Sequence, residues 1–488
     1  MRIFDPQVYS GKTNKNITKL CSVSSASFML IADGRLFIAK GNNANRRSAY
    51  HAAISNSGAT SMLAGLVNAY EIVFPNEVGG LIDANGTSGE AAYALFENGN
   101  LYTWGNNTRG NLGLGHTNMM PWPTLSATDV VEVYTDPSNE GGDKDYGRLM
   151  HKKTDGWIYG AGYNFHGELG LGDGNQRNAW VRLDWMGRDP KSVWNLGSYR
   201  GQTVVQQADG TILGCGYNGS GALGIGSNST NILDPVELSA WVDGDLSFEI
   251  KKVMFQSVSP TVSSNPPNEY NMLIWSQNGT TSKIRGAGYN LYGTLGTGNT
   301  TNSNTPVPVL DLEEDIVTDF IVKGAAVGSA YALNSRGELW GWGYNSNGNL
   351  GDGTRTNRTR AFLLLDNVLE IASKYTTTEE WSWRRSSPII RKSDGYYVTG
   401  RNYNLALGTG NTSEDQITDT WAKLKFPENV KIKFLGSTHS GGERETKIAI
   451  DEENNIYAWG GNGDDMLDLN AANHIPVPLR YSIPALRM

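Results

Sequence analysis

The chain has 488 residues, 39% of them hydrophobic, with 49 acidic against 41 basic side chains and a formal charge of -8. No basic run is dense enough to follow a phosphate backbone, which argues against direct nucleic-acid binding. No run of 18 apolar residues offers a membrane-inserted helix, and the start, MRIFDPQVYSGK, lacks an apolar stretch of signal-peptide length. The 59 glycines, about 12% against a usual 7%, imply many tight turns, and 14 tryptophans with 22 tyrosines suit packing between sheets. The composition therefore favours an all-β chain.

Taken in order, NITKLCSV (16–23), SASFMLIADG (25–34) and RLFIAKG (35–41) read as three strands, followed by a degenerate Gly/Asn motif, AKGNNANRR, from Ala39. Five strong copies of that motif come next: TWGNNTRGNLGLG (103–115), GAGYNFHGELGLG (160–172), GCGYNGSGALGIG (214–226), GAGYNLYGTLGTG (286–298) and GWGYNSNGNLGDG (341–353). Two weaker ones, VTGRNYNLALGTG (398–410) and AWGGNGDDMLDLN (458–470), precede a last strand, HIPVPLRY (474–481). The recurring Asn at 43, 107, 164, 218, 290, 345, 402 and 462 sets a period of about 60 residues.

Each motif follows a hairpin. Its turns are pairs tolerant of positive φ: Asp33–Gly34, Asn98–Gly99, Asp155–Gly156, Asp209–Gly210, Asn278–Gly279, Asp394–Gly395 and Asn454–Asn455, with Ser335–Gly337 in the remaining copy. Two more strands precede each hairpin, as in TPVPVLDL (305–312) and DIVTDFIVKGAA (315–326), and Pro306 and Pro308 place the former at a sheet edge or strand start. The unit is thus four strands, a, b, c and d, ending in the Gly-rich motif.

Such sheets bury their faces by stacking in a circle, so the expected fold is one β-propeller over residues 1–488. Hairpin-plus-motif units fall near 31–43, 95–115, 152–172, 206–226, 274–298, 332–353, 391–410 and 448–470. They predict eight four-stranded blades, with seven as the alternative. The N-terminal segment reads as b, c and d without an a, and the C-terminal one as an a with nothing after it. The expectation is that these share one blade and close the ring.

The hairpin with W-G-x-N-x-x-G-x-L-G-x-G, best seen at Trp104–Gly115 and Trp342–Gly353, resembles the regulator of chromosome condensation repeat family over nearly the whole chain. The resemblance implies a propeller, most familiarly of seven blades, in which the motif locks neighbouring blades. The residues agree with that role: glycines permit close backbone approach, Asn can bond main chain, and Leu112, Leu169, Leu223, Leu295 and Leu350 recur as plugs between sheets. Asn- and Thr-rich turns such as GNTTNSNTP (298–306) look similar to phage or bacterial members.

Nothing points to catalysis, a cofactor or a metal. GCGYNGSG (214–221) lacks the strand, helix and acidic residue of a dinucleotide site, and Asp173 and Asp352 suit Asx-turns better than a calcium loop. His51, His116, His151, His166, His439 and His474 make no metal spacing, and Cys21 and Cys215 read as separate buried thiols.

The long connections, b–c and d–a, gather on one face, while c–d turns are minimal, so the loop-rich face is the expected binding surface. Within it Trp381, Trp383, Arg384 and Arg385 form a candidate protein-binding anchor, the alternative being packing against a neighbouring blade. The function expected first is a non-enzymatic bacteriophage virion component, in tail, fibre or head decoration, bound to virion proteins or a host surface receptor. The alternatives are a cellular, cytoplasmic interaction propeller of exchange-factor or enzyme-inhibitor type, and a glycan-binding or glycan-degrading propeller.

Overall fold

The computed structural model describes residues 17–24, 27–32, 35–40, 70–72, 74, 77, 80–87, 91–135, 147–196, 200–258, 269–323, 328–375, 387–440, 444–461 and 474–481. Within them the chain forms seven four-stranded antiparallel sheets and one of three strands, in a propeller-like arrangement.

The first sheet comprises Ile17–Ser24, Ser27–Ala32, Arg35–Lys40 and Tyr70–Ile72; the second, Leu81–Thr87, Ala91–Phe96, Leu101–Gly105 and Met120–Ala127; the third, Val130–Tyr134, Arg148–Lys153, Ile158–Gly162 and Arg177–Arg182. The fourth holds Ser192–Leu196, Gln202–Gln206, Ile212–Tyr217 and Asn231–Glu237; the fifth, Glu249–Val258, Glu269–Asn278, Thr281–Gly288 and Ser303–Leu312; the sixth, Val317–Lys323, Ser329–Asn334, Leu339–Gly343 and Arg358–Leu365. The seventh has only Ile389–Lys392, Gly395–Arg401 and Ile417–Lys423, and the eighth Ile432–Ser440, Arg444–Asp451, Ile456–Gly461 and His474–Tyr481.

Every four-stranded sheet runs b-c-d-a. Strands b of neighbouring sheets lie beside one another, so b is innermost and a forms the rim. Middle strands such as AAYALF and SAYALN are buried throughout, because a neighbouring sheet covers each face and their alanines allow close stacking. Rim strands alternate between half-buried and exposed residues, and Pro306 and Pro308 sit there, where a missing N–H breaks no inner ladder.

This order corrects the expected closure. After d the chain turns through the motif and comes back antiparallel on d itself, as when Gly286 pairs with Val307 and Gly288 with Ser303. Strand a therefore ends its own sheet instead of beginning the next. The first sheet has its own a, Tyr70–Ile72 on Leu36–Ile38, and the eighth has His474–Tyr481 on Ile456–Gly461. Among the described residues no strand is shared between the chain ends and no hydrogen-bonded sheet closes on itself into a ring; the first sheet meets the second and the eighth by packing of its innermost strand.

The expectation of uniform four-stranded blades fails at the seventh sheet as well. A 3-10 turn, Ala372–Tyr375, occupies the innermost position there and touches the inner strands of the sixth and eighth sheets. A turn of this tightness cannot extend a ladder of strand bonds, so three strands remain.

Candidate interaction surface

The surface that carries the candidate site is built by the motif, whose hub is its Asn. The Asn164 amide oxygen accepts the N–H of Leu169 at 2.7 Å, while its NH2 donates to the carbonyls of Asp173 and Asn175 at 2.9 and 3.1 Å. Asn345 repeats this with Leu350, Thr354 and Thr356 at 2.9, 3.1 and 3.2 Å, and Asn402 with Leu407, Asn411 and Ser413 at 3.3, 3.1 and 3.1 Å. One side chain thus satisfies three backbone groups that the d–a corner would otherwise bury unpaired. The five plug leucines are all fully buried beneath.

The same motif ties each sheet to the next. Its last glycine donates to the following rim strand: Gly115 to Asn178, Gly172 to Leu233, Gly226 to Asn304, Gly298 to Thr359 and Gly353 to Asp419, at 2.6–3.1 Å. A tryptophan covers the glycine after the plug Leu, so closely at Gly113 (φ 70°) that a Cβ would lie 2.1 Å from Trp180. Asp173 and Asp352 form Asx-turns, accepting the N–H groups of Asn175 and Thr354 at 2.9 and 3.0 Å.

On this frame a run of rings crosses the corners of the third, fourth and fifth sheets, at the end where b–c and d–a connections emerge. Phe165, 63% exposed, stacks on Tyr163 at 6.4 Å and meets the edge of His166 at 5.2 Å. His166 stands edge-on to Tyr217 at 5.2 Å, Tyr217 to Tyr270 at 5.2 Å, and Tyr270 stacks on Phe255 at 5.1 Å. Two guanidinium groups flank the run, Arg109 over Tyr163 at 5.7 Å and Arg200 over Tyr217 at 5.1 Å.

Several devices hold the run in place. The buried Glu168 carboxylate accepts the His166 backbone N–H at 3.0 Å and lies 3.3 Å from its Nδ1. The Glu168 carbonyl in turn receives the Thr203 hydroxyl of the fourth sheet at 2.6 Å. At Gly219 a Cβ would stand 2.2 Å from the Tyr217 hydroxyl, so a larger residue would have to push that ring aside. Arg200 adopts a left-handed φ of 57°, a costly conformation for arginine.

The chemistry available here is that of contact. Cys215 is a buried free thiol, and burial first, then the charge of Glu168, push its pKa up, so it stays protonated and unreactive. Among the described residues no three His, Cys, Asp or Glu side chains come together as a metal site.

Trp381, Trp383, Arg384 and Arg385 lie between Tyr375 and Ser387, outside the described residues; strand c of that sheet begins at Ile389. His51 and the side chains of Cys21 and His439 also lie outside them. The residues that sequence reasoning passed over are Phe165, Arg109 and Arg200. The signal for Phe165 lay in the residue after the motif Asn, which is polar or glycine at Thr108, Gly219 and Ser346 but apolar at Phe165 and Leu291.

The fold and corner define a β-propeller-like repeat module. Residues 98–133, from the c–d turn of the second sheet to strand b of the third, match the model of the regulator of chromosome condensation (RCC1) repeat. The repeat is known as a non-catalytic scaffold or exchange-factor module, with which a non-enzymatic chain is consistent.

Among known proteins, the chain is 22% identical over 370 residues to the ultraviolet-B receptor UVR8 of Arabidopsis thaliana, covering 75% of this chain and 74% of that one. It is 24% identical over 303 residues to the human E3 ubiquitin-protein ligase HERC2, covering 61% of this chain but 5% of the ligase. Among solved structures, Prp20p from Saccharomyces cerevisiae superposes with a TM-score of 0.47 at 16% identity, covering 79% of this chain and 86% of that one.

These relatives are plant and mammalian cellular proteins, which overturns the expected phage or bacterial type. With it fall the virion function and localisation and the virion or host-receptor partners. The physical reason lies in the corners: their Asn and Thr residues form Asx-turns and serve the Asn hub, so that composition reports turn geometry and not origin.

Proposed function

We propose that the chain is a cellular protein-interaction module of scaffold or exchange-factor type, and that it takes its partner on the face where the b–c and d–a connections emerge. The observation that carries this is Phe165, a large exposed ring held on a rigid corner between flanking arginines. Rigid aromatic and arginine side chains bind at low entropic cost and dominate the energy of many interfaces. Trp381, Trp383, Arg384 and Arg385 belong to the same reading as a further anchor on that face.

The partner class to test first is a small GTPase, because the relatives include the canine X-linked retinitis pigmentosa GTPase regulator, 28% identical over 151 residues covering 29% of this chain and 14% of that protein. Purified chain is titrated into a panel of nucleotide-loaded small GTPases, reading both binding and nucleotide release. Binding that F165A weakens about thirtyfold or more, with an unchanged melting temperature, supports the reading. A partner footprint confined to the c–d turns overturns the choice of face.

A further inference from the structure

The joint between the second and third sheets differs from the four that share one tryptophan bond, while Trp421, over Gly351 at the sixth-to-seventh joint, has no partner for its N–H among the described residues. Trp185, Trp241, Trp342 and Trp459 each donate their indole N–H to a motif carbonyl, at Leu169, Leu223, Thr294 and Ala406, at 2.8–2.9 Å. Trp180 covers Gly113 of the second sheet, but its N–H goes to the Ser126 carbonyl and hydroxyl at 3.1 and 2.9 Å. The Ser126 hydroxyl passes the link on to the Leu112 carbonyl at 2.6 Å.

Behind Trp180 lies His151, wholly buried, its ring 4.4 Å from the indole and edge-on at 83°. Its other face stacks on Tyr159 at 5.5 Å, and neither ring nitrogen has a hydrogen-bond partner among the described residues. We propose that His151 is a proton-sensitive latch: neutral, it fills the space that seats Trp180 against the second sheet, and protonated, it forces this joint to open.

The charges around it favour that outcome. From its own strand Lys153 stands over the Tyr159 ring at 5.3 Å and opposes another cation, while Asp155, in the following turn, partly offsets this. Glu132, on strand b, lies opposite Lys152, and Arg182, on the rim strand, stacks over Trp157 and pairs with Asp184. From the second sheet Asp83 is engaged by the Tyr93 hydroxyl at 2.6 Å. No carboxylate among these reaches the imidazole to pair with it.

Burial first, then Lys153, hold the His151 pKa down at about 3 against an ordinary 6.5. The closed joint therefore keeps the imidazole neutral, while an opened joint, with the ring in water, takes up a proton below about pH 6.5. Closure is unaffected above that pH, and the opening equilibrium grows as pH falls from about 6.5 towards 3, approaching tenfold per unit for one proton.

The test is hydrogen–deuterium exchange of the full chain at pH 7.5 and 5.0, corrected for intrinsic rates, in peptides covering 110–127 and 177–182, for wild type and H151F. Wild type is expected to open this joint more than tenfold more often at pH 5.0, with the fourth-to-fifth joint as an internal control, and H151F is expected to show no such rise. Should H151F not fold, H151L serves the same comparison. An equal rise in the variant, or a wild-type joint no more open at pH 5.0 than at 7.5, overturns the latch.

Discussion

Two adjacent positions of the motif behave in opposite ways. At Asn107, Asn164, Asn290, Asn345 and Asn402 the side chain is the same and so are its obligations, one N–H five residues on and carbonyls nine and eleven residues on. One residue later come Thr108, Phe165, Leu291, Ser346 and Tyr403, with no shared chemistry. The Asn is buried in the corner, while its successor is exposed at Thr108, Phe165, Leu291 and Ser346 and half-buried at Tyr403, so the fold constrains the one and leaves the other freer for recognition. Within a repeat protein, the uniform position is where stability sits and the divergent one is where an individual blade acquires a task.

Breaking the uniform position has the largest expected effect. Leu350→Ala, beneath the hub, should destabilise by about 2–5 kcal/mol through the cavity it leaves. Asn345→Ala should cost about 2–3 kcal/mol, because the Leu350 N–H and the Thr354 and Thr356 carbonyls lose their partner together. Asn345→Asp keeps the acceptor but turns a carboxylate on two carbonyls and on Asp352, 3.0 Å away, so it should do no better than Ala. Urea unfolding checks all three; an Asp variant of wild-type stability would remove the donor half of the hub.

That hub, its plug leucines and the tight c–d turns were legible in the sequence, because each repeats at a fixed spacing and rests on local backbone geometry. The phase of the repeat was not. A period of about 60 residues leaves a rim strand such as Ser303–Leu312 equally free to begin one sheet or to end the one before, and only its pairing with Thr281–Gly288 decides. The missing inner strand of the seventh sheet was equally hidden, since ASKY carries no breaker that marks it as a turn. The ring run was out of reach for a different reason: His166, Tyr217, Tyr270 and Phe255 meet only once three sheets stack.

A smaller effect is expected at Gly219, the exception in the divergent position. Its φ is not left-handed, so an added methyl carries no left-handed strain there, and the outer end of the Tyr217 ring, its hydroxyl 2.2 Å and its Cζ 2.5 Å away, must yield. Gly219→Ala should therefore cost about 1–2 kcal/mol of stability. It should also turn Tyr217 away from His166 and Tyr270 and weaken partner binding, although Phe165 is untouched. Thermal melts beside binding titrations separate the two, and intact binding would show that the partner does not require the continuous run.

The smallest expected change in stability belongs to the outward residues themselves, and it sharpens the comparison most. Phe165 and Leu291 occupy the same motif position two sheets apart, 63% and 44% exposed, and each has little burial to lose. Phe165→Ala and Leu291→Ala should both unfold within about 0.5 kcal/mol of wild type. They should part company in binding, because Phe165 lies among Tyr163, His166 and the arginines over Tyr163 and Tyr217, whereas the corner of Leu291 has Tyr292 edge-on to Tyr344 and no cation among the described residues stacked on either ring. F165A is thus expected to weaken a partner about thirtyfold or more and L291A by less than threefold. Equal losses at both would mean that the corners bind as a repeated series and that no single blade is specialised; a stability loss above about 1 kcal/mol in F165A would return its ring to the packing between sheets.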